Sequence, residues 1–249
     1  MTTYNPPRTR NIYDPASKEP FKVSRSKIEL FMNCPQCFWL DLRKGIKQVP
    51  GFPFTLNSAV DTLLKKEFDG YRERGEAHPI MNENGVEAVP FQHEDLDEWR
   101  NNFKGVRFLH KPTNLLVYGA VDDVWVQPDG ELFVVDYKAT SKKEVIEGLD
   151  KDWQIGYKRQ SEVYAWLLRK NGFKVSNTAY FVYANGDTEK DHFDNKLEFV
   201  TKLIAYTGNA DWVEPTLKKM KKILDSDKLP KAGDDCDYCK YREAVASLQ

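Results

Sequence analysis

The chain has 249 residues, 41% apolar and 30% charged, which suits one substantial α/β core or two small ones, and a single domain is expected. A formal net charge of -1 gives no global signal of a nucleic-acid partner. Apolar runs as short as Leu132 to Val135 and Ala165 to Leu168 exclude a membrane-spanning helix, and no secretory signal is legible, so a soluble, cytoplasmic chain is expected.

Residues 1–23, rich in Pro, Thr, Asn and Arg without periodicity, read as a mobile N-terminal arm, and residues 24–249 as one domain. Ser24 or Ser26 can cap a helix carrying Ile28, Leu30, Phe31, Cys34, Phe38 and Leu42 at helical intervals, which must start anew or kink at Pro35. After the loop Val49-Pro50-Gly51-Phe52-Pro53, Val60, Leu63, Leu64, Phe68 and Tyr71 mark a helix over 56–74, with Asp61 bordering its apolar face. β-formers dominate from Val106 onward. The turn Pro128-Asp129-Gly130 joins strand 118–126 to strand 132–137, which places Asp122 and Asp136 on adjacent strands. A helix over 153–170 ends at Asn171-Gly172, and strands over 178–183 and 197–206 precede a basic helix over 211–224. Its neighbourhood collects Lys218, Lys219, Lys221, Lys222, Lys228 and Lys231, which suit a solvated face as well as a phosphate-facing one.

Four cysteines form two CxxC pairs, Cys34-Pro35-Gln36-Cys37 and Cys236-Asp237-Tyr238-Cys239. Each pair lets two thiolates from one turn reach a single ion, so the two ends of the chain are expected to meet around a metal, either zinc or an iron-sulfur cluster. Disulfides are disfavoured where thiols stay reduced, and a redox pair needs only one CxxC.

Between the pairs, Asp136-Tyr137-Lys138 ends the apolar strand Leu132-Phe133-Val134-Val135, with Asp122 across the turn. Two carboxylates suit a hard cation, Mg²⁺ or Mn²⁺, and the lysine can position or help deprotonate a water. A surface ion pair between Asp136 and Lys138 is the plain alternative. The same D-x-K pattern in Asp194-Asn195-Lys196 has no apolar strand leading into it. Gln160 and Tyr164 lie one helical turn apart and share a face, as packing residues of a half-buried helix also would. No histidine has metal-ligand spacing to another.

The ordered set Gly119-Ala120-Val121-Asp122, Asp136-Tyr137-Lys138 and Gln160-x-x-x-Tyr164 resembles the G-x-x-D, D/E-x-K and Q-x-x-x-Y motifs of the PD-(D/E)XK nuclease superfamily, and more narrowly its RecB-like exonucleases, including the CRISPR-associated ones. The resemblance spans most of residues 24–242. It implies a restriction-endonuclease-like α/β core, a central mixed sheet flanked by helices, with the termini joined by the four-cysteine metal site. Asp122, Asp136 and the Tyr137 main-chain carbonyl would hold Mg²⁺ or Mn²⁺, Lys138 would serve the water, and Gln160 and Tyr164 would orient the site. Asp61, in Asn57-Ser58-Ala59-Val60-Asp61, stands where the family's G-x-x-x-H places histidine, and its carboxylate can also ligate the metal. The flanks look like those of iron-sulfur members, although these bring one cysteine and then three, whereas this chain brings two and two. A four-iron four-sulfur cluster on Cys34, Cys37, Cys236 and Cys239 is the expectation, with Zn²⁺ as the alternative.

The reaction implied is divalent-metal-dependent hydrolysis of DNA phosphodiesters, on single strands or duplex ends, with a helicase or integrase as a possible partner and no membrane. Two rivals stand beside it: a catalytically inactive, metal-stapled nucleic-acid-binding module, and a structural-zinc or redox cysteine protein whose acids are incidental.

Overall fold

The computed structural model describes residues 7–51, 55–143 and 146–248. Phe52 and Pro53 of the expected loop lie outside them. In chain order the elements are β1 (Phe21–Ser24), α1 (Arg25–Asn33), α2 (Pro35–Lys44), α3 (Thr55–Arg74), α4 (Pro79–Glu83), β2 (Val89–Pro90), α5 (Leu96–Trp99), β3 (Val106–His110), β4 (Leu115–Gly119), β5 (Asp123–Val126) and β6 (Leu132–Thr140). A 3₁₀ turn (Asp152–Gln154) then leads into α6 (Ile155–Lys170), followed by β7 (Val175–Gly186), β8 (Phe199–Thr207), α7 (Val213–Leu224) and α8 (Asp237–Ala246). These elements form two compact units.

One unit collects residues 7–51, 107–118 and 211–248. Its sheet has the order β1-β4-β3, with β1 parallel to β4 and Phe21 opposite Leu115. Within the segment read as an arm, Tyr13 is buried and its hydroxyl donates to Asp225 Oδ1 at 2.6 Å, while Phe21 to Ser24 are strand. Pro35 starts a new helix as expected, because a proline at the first helical position has no N–H to lose. Helix α7 packs on α1 and α2 through Val213, Leu217, Met220 and Leu224, which leaves Lys218, Lys219 and Lys222 on its exposed side.

The other unit, residues 55–106 and 119–210, holds a mixed five-stranded sheet in the order β2-β5-β6-β7-β8. Strands β6 and β7 run parallel, and the β2-β5, β5-β6 and β7-β8 pairs are antiparallel. The β5-β6 hairpin closes where expected, with Gln127 N–H donating to Glu131 O and Gly130 at φ +83°, a left-handed conformation suited to glycine.

Helix α3 packs on β6 and β2, and α6 on β6 and β7, so both faces of the central strands are covered and residues 132–135 and 179–184 form unbroken runs without a charged residue. This is the α/β, restriction-endonuclease-like architecture expected, with mixed sheets flanked by helices. The period-2 alternation along β6 sorts its side chains. Phe133, Val135 and Tyr137 join Phe68 of α3 and Trp125 in one core, while Asp136 and Lys138 point to α6. Phe68 is fully buried and stacks on Trp125 at 5.6 Å, and truncating such a side chain costs about 3–5 kcal/mol.

Two expectations need correction. The strand expected over 118–126 is two strands in different sheets, and between them Val121 N–H donates to Trp99 O instead of to a sheet neighbour. Leu63, expected on the buried face of α3, is 62% exposed, whereas Arg72 is buried, because α3 meets the sheet through buried charges as well as through Val60 and Phe68.

Candidate active site

Strand β6 runs past its expected end at Tyr137 to Thr140, and in its middle Asp136 has no exposed surface. Its Oδ1 accepts from Gln160 Nε2 at 2.7 Å, and Oδ2 is ion-paired with the Lys138 ammonium. Gln160 Nε2 also lies 3.2 Å from the Tyr164 hydroxyl, so the shared helix face of Gln160 and Tyr164 is turned toward Asp136. Lys138 is capped by the ring of Tyr157, with Nζ 4.5 Å from its centroid.

Asp122 lies one residue before β5. Because Asp123 pairs with Val135, Asp122 continues the register toward Asp136, and its Oδ2 accepts the Tyr137 N–H at 3.0 Å. On α3, Lys65 bridges two acids, reaching Asp61 Oδ2 at 2.8 Å and Asp122 Oδ1 at 3.4 Å. Asn57 Nδ2 donates to Ala139 O at 2.7 Å. Asn57, Asp61, Tyr137, Lys138 and Tyr157 line an open cleft of about 410 Å³. Every residue read from the sequence as part of this site therefore lies within β6, just before β5, or on the α3 and α6 surfaces beside them.

The electrostatics of this group favour a cation. Burial pushes Asp136 up to about 7, and repulsion from Asp122 adds to this against the pull of Lys138. Burial acts on Lys138 in the opposite sense, but Asp136 and Asp122 outweigh it and raise its pKa, so the side chain stands as an ammonium. Lys65 is raised in the same way by Asp122 and Asp61 against the effect of its burial. Two buried or half-buried carboxylates that repel one another are a donor set suited to a hard divalent ion. Asp122, Asp136 and the Tyr137 carbonyl would hold it, with Asp61 at the edge.

Behind these residues lies a charge network that the sequence reading missed. The Asp123 carboxylate is fully buried, pairs with Arg72 and Arg100, and accepts the Tyr137 hydroxyl at 2.7 Å. Arg100 Nε also donates to the Asp122 main-chain carbonyl at 3.0 Å, and its Nη1 reaches Asp69. The network thus ties the backbone of one candidate ligand to the side chain of the residue between Asp136 and Lys138. Burial, with Asp123 adding to it, keeps the Tyr137 hydroxyl protonated. The doublet Asp122-Asp123 is the one sequence signal, since a second acid facing away from the site requires a buried partner.

The cysteines form a second centre, in the other unit. Cys34 and Cys236 are the N-cap residues of α2 and α8, and Cys37 and Cys239 fall in the first turns of those helices. Both pairs therefore present sulfur at the positive end of a helix. The Sγ atoms are 3.6 Å apart for Cys34–Cys239, Cys37–Cys236 and Cys37–Cys239. Among the described residues, this quartet is the group of three or more potential ligands whose donor atoms all lie within 4.8 Å of one another. Gly233 makes the approach possible, since a Cβ there would meet Asn33 O at 2.1 Å. Burial raises the Cys34 thiol, but N–H donors from Gly233 and Cys37 overcome this and bring it to about 7. Three histidines have structural contacts: His78 stacks on Phe68, His93 on Trp99, and buried His110 bonds Thr113.

The family model of the PD-(D/E)XK nuclease superfamily matches residues 55–244, well over half of the chain. The chain belongs to the PD-(D/E)XK nuclease superfamily. A search of curated proteins finds no match. Superfamily membership points to a metal-dependent hydrolase acting on nucleic acid, and the matched span takes in Asp61, Asp122, Asp136, Lys138, Gln160, Tyr164 and the second CxxC pair. No helix of the described residues is long and apolar enough to cross a membrane.

Proposed function

We propose that the protein is a Mg²⁺- or Mn²⁺-dependent deoxyribonuclease of RecB-like, exonucleolytic type, acting on single strands or duplex ends. The observation that carries the reading is a fully buried carboxylate, Asp136, in the middle of a central strand, faced by Lys138, Gln160 and the neighbouring acid Asp122. A divalent ion bound there would supply Lewis-acid polarisation of the phosphate and a water of lowered pKa. Asp122 and Asp136 would hold that ion, and the Tyr137 backbone is fixed by its N–H bond to Asp122. Gln160 holds one Asp136 oxygen in place through its amide.

Lys138 is an ammonium while it is paired with Asp136, and so serves as an orienting positive charge toward a phosphate more than as a resting base. Lys138 would be released toward the substrate, with a lower proton affinity, once Asp136 served as a metal ligand. A helicase or integrase partner follows from the same reading as a supplier of ends.

The test is a cleavage time course on end-labelled single- and double-stranded DNA with Mg²⁺, Mn²⁺ or EDTA. Metal-dependent cutting that begins at ends and yields short products supports the proposal. Binding of DNA without cutting by intact, metal-supplied protein would sink it in favour of the binding module, the rival kept alive by Asp61 standing in the place of histidine.

A further inference from the structure

The cysteine quartet is the wrong size for the cluster that the resemblance implies. In a four-iron four-sulfur cubane each cysteine binds a different iron, which spreads the cysteine sulfurs to roughly 6 Å from one another. Here all four Sγ atoms lie within 4.8 Å of one another, and three of the separations are 3.6 Å. A single zinc with Zn–S bonds of about 2.3 Å places tetrahedral sulfurs about 3.8 Å apart. Three separations match that tetrahedron, and none reaches the spacing a cubane needs.

We infer that Cys34, Cys37, Cys236 and Cys239 bind one structural Zn²⁺ in place of an iron-sulfur cluster. The surroundings fit a closed tetrathiolate site. All four cysteines are buried, as a closed structural site requires, with Cys34 and Cys236 lining the floor of a surface cleft. Each CxxC pair opens a helix, and Cys34 Sγ accepts N–H bonds from Cys37 at 3.4 Å and Gly233 at 3.3 Å, the arrangement by which a tight turn offsets thiolate charge. Arg242 Nη2 lies 3.2 Å from Cys239 Sγ and 2.7 Å from Gln36 Oε1, so a guanidinium offsets part of the net charge of -2 carried by four thiolates around Zn²⁺.

The binding step balances without a redox partner: Zn²⁺ plus four thiols gives the tetrathiolate and four protons. Zinc cannot change its oxidation state, so the site's role is to hold the α1–α2 turn against the start of α8. The inference rests on sulfur spacing in one unit and does not depend on the nuclease reading.

The experiment is metal analysis of the full-length chain, produced without a polyhistidine tag in medium supplied with both iron and zinc and purified without oxygen. Its absorption spectrum is recorded on the same sample. The expected result is about one zinc per chain, negligible iron and no broad band near 400 nm. About four iron with sulfide and that band would overturn the inference, as would a folded chain that carries neither metal.

Cobalt exchange provides the second readout, independent of cleavage and of whether cysteine variants fold. Co²⁺ in the quartet should give the intense visible bands of tetrahedral thiolate coordination, and zinc should displace them at one equivalent. Weak octahedral bands would contradict the tetrahedral site.

Discussion

In the cysteine quartet every donor is sulfur, all four residues are buried, and three separations are equal at 3.6 Å. Around Asp136 the donors are oxygens, side-chain exposure rises from 1% at Asp136 to 22% at Asp122 and 32% at Asp61, and two lysines stand among the carboxylates. The first centre is closed and matches one ion size. The second is graded from buried to open, and its charges are held in provisional pairs. The contrast is the one that separates structural from catalytic metal sites: a closed site stabilises the fold, while a site open on one side can exchange a protein cation for a metal, and water for substrate.

The largest effect expected from this comparison is on the cysteine side. If the quartet holds zinc as inferred, stripping it with a strong chelator should remove a contribution on the order of 10 kcal/mol to the unit that holds it. Thermal unfolding should then lose its cooperative transition, which zinc should restore and Mg²⁺ should not. An unchanged melt after confirmed removal of the metal would show that the quartet does not hold the fold.

Next comes the buried network behind the active site. Asp123→Asn leaves Arg72 and Arg100 without their fully buried partner and should cost about 3–5 kcal/mol in denaturant unfolding, since breaking one side of a buried pair strands the other charge. A loss below about 1 kcal/mol, the range of exposed pairs, would mean that solvent reaches the network.

Lys138→Met should separate two quantities that usually fall together. Cleavage drops by about 10²–10³-fold as the charge near the phosphate is lost, while Mn²⁺ binds more tightly, because Asp136 no longer has a competing ammonium. Weaker Mn²⁺ binding by this variant would show that Lys138 assembles the site instead of guarding it.

The smallest effect is a pH dependence. Asp136 titrates at about 7 in the fold, against an ordinary carboxylate value of 3.8, so protons compete with the cation below pH 7. Mn²⁺ affinity should fall by about tenfold per pH unit below 7 and level off above it. The sign for stability is opposite. The metal-free fold binds more protons at this group than the unfolded chain does, so its stability declines as pH rises from about 4 to 7. Titrations of Mn²⁺ and of denaturant at pH 6 and 8 read both slopes.

Much of this comparison was legible in the sequence. The D-x-K at the end of an apolar run, the turn at Pro128-Asp129-Gly130 and the i, i+4 pair Gln160 and Tyr164 are local patterns, and local patterns survive folding. The short elements β1, β2, α4 and α5 were not legible, because segments of two to five residues carry too little periodicity to stand out. Arg72 escaped notice for a different reason. A charged residue in a helix reads as surface, and only its long-range partner Asp123, 51 positions away, shows that it is buried. The cysteine spacing placed a metal but not its kind, since CxxC serves zinc and clusters alike, and the distances between the two pairs exist only in the fold.

The central claim is that Asp136 is the acid around which a nuclease centre is built. Its most direct test is the single-turnover cleavage rate of Asp136→Asn beside the parent chain at saturating Mg²⁺, with unfolding followed on the same samples. The account predicts a rate loss of about 10³-fold or more from a variant that still unfolds cooperatively at pH 8, because relief of the buried carboxylate's desolvation offsets the loss of the Lys138 pair. Cleavage within tenfold of the parent, from a folded variant, would contradict it.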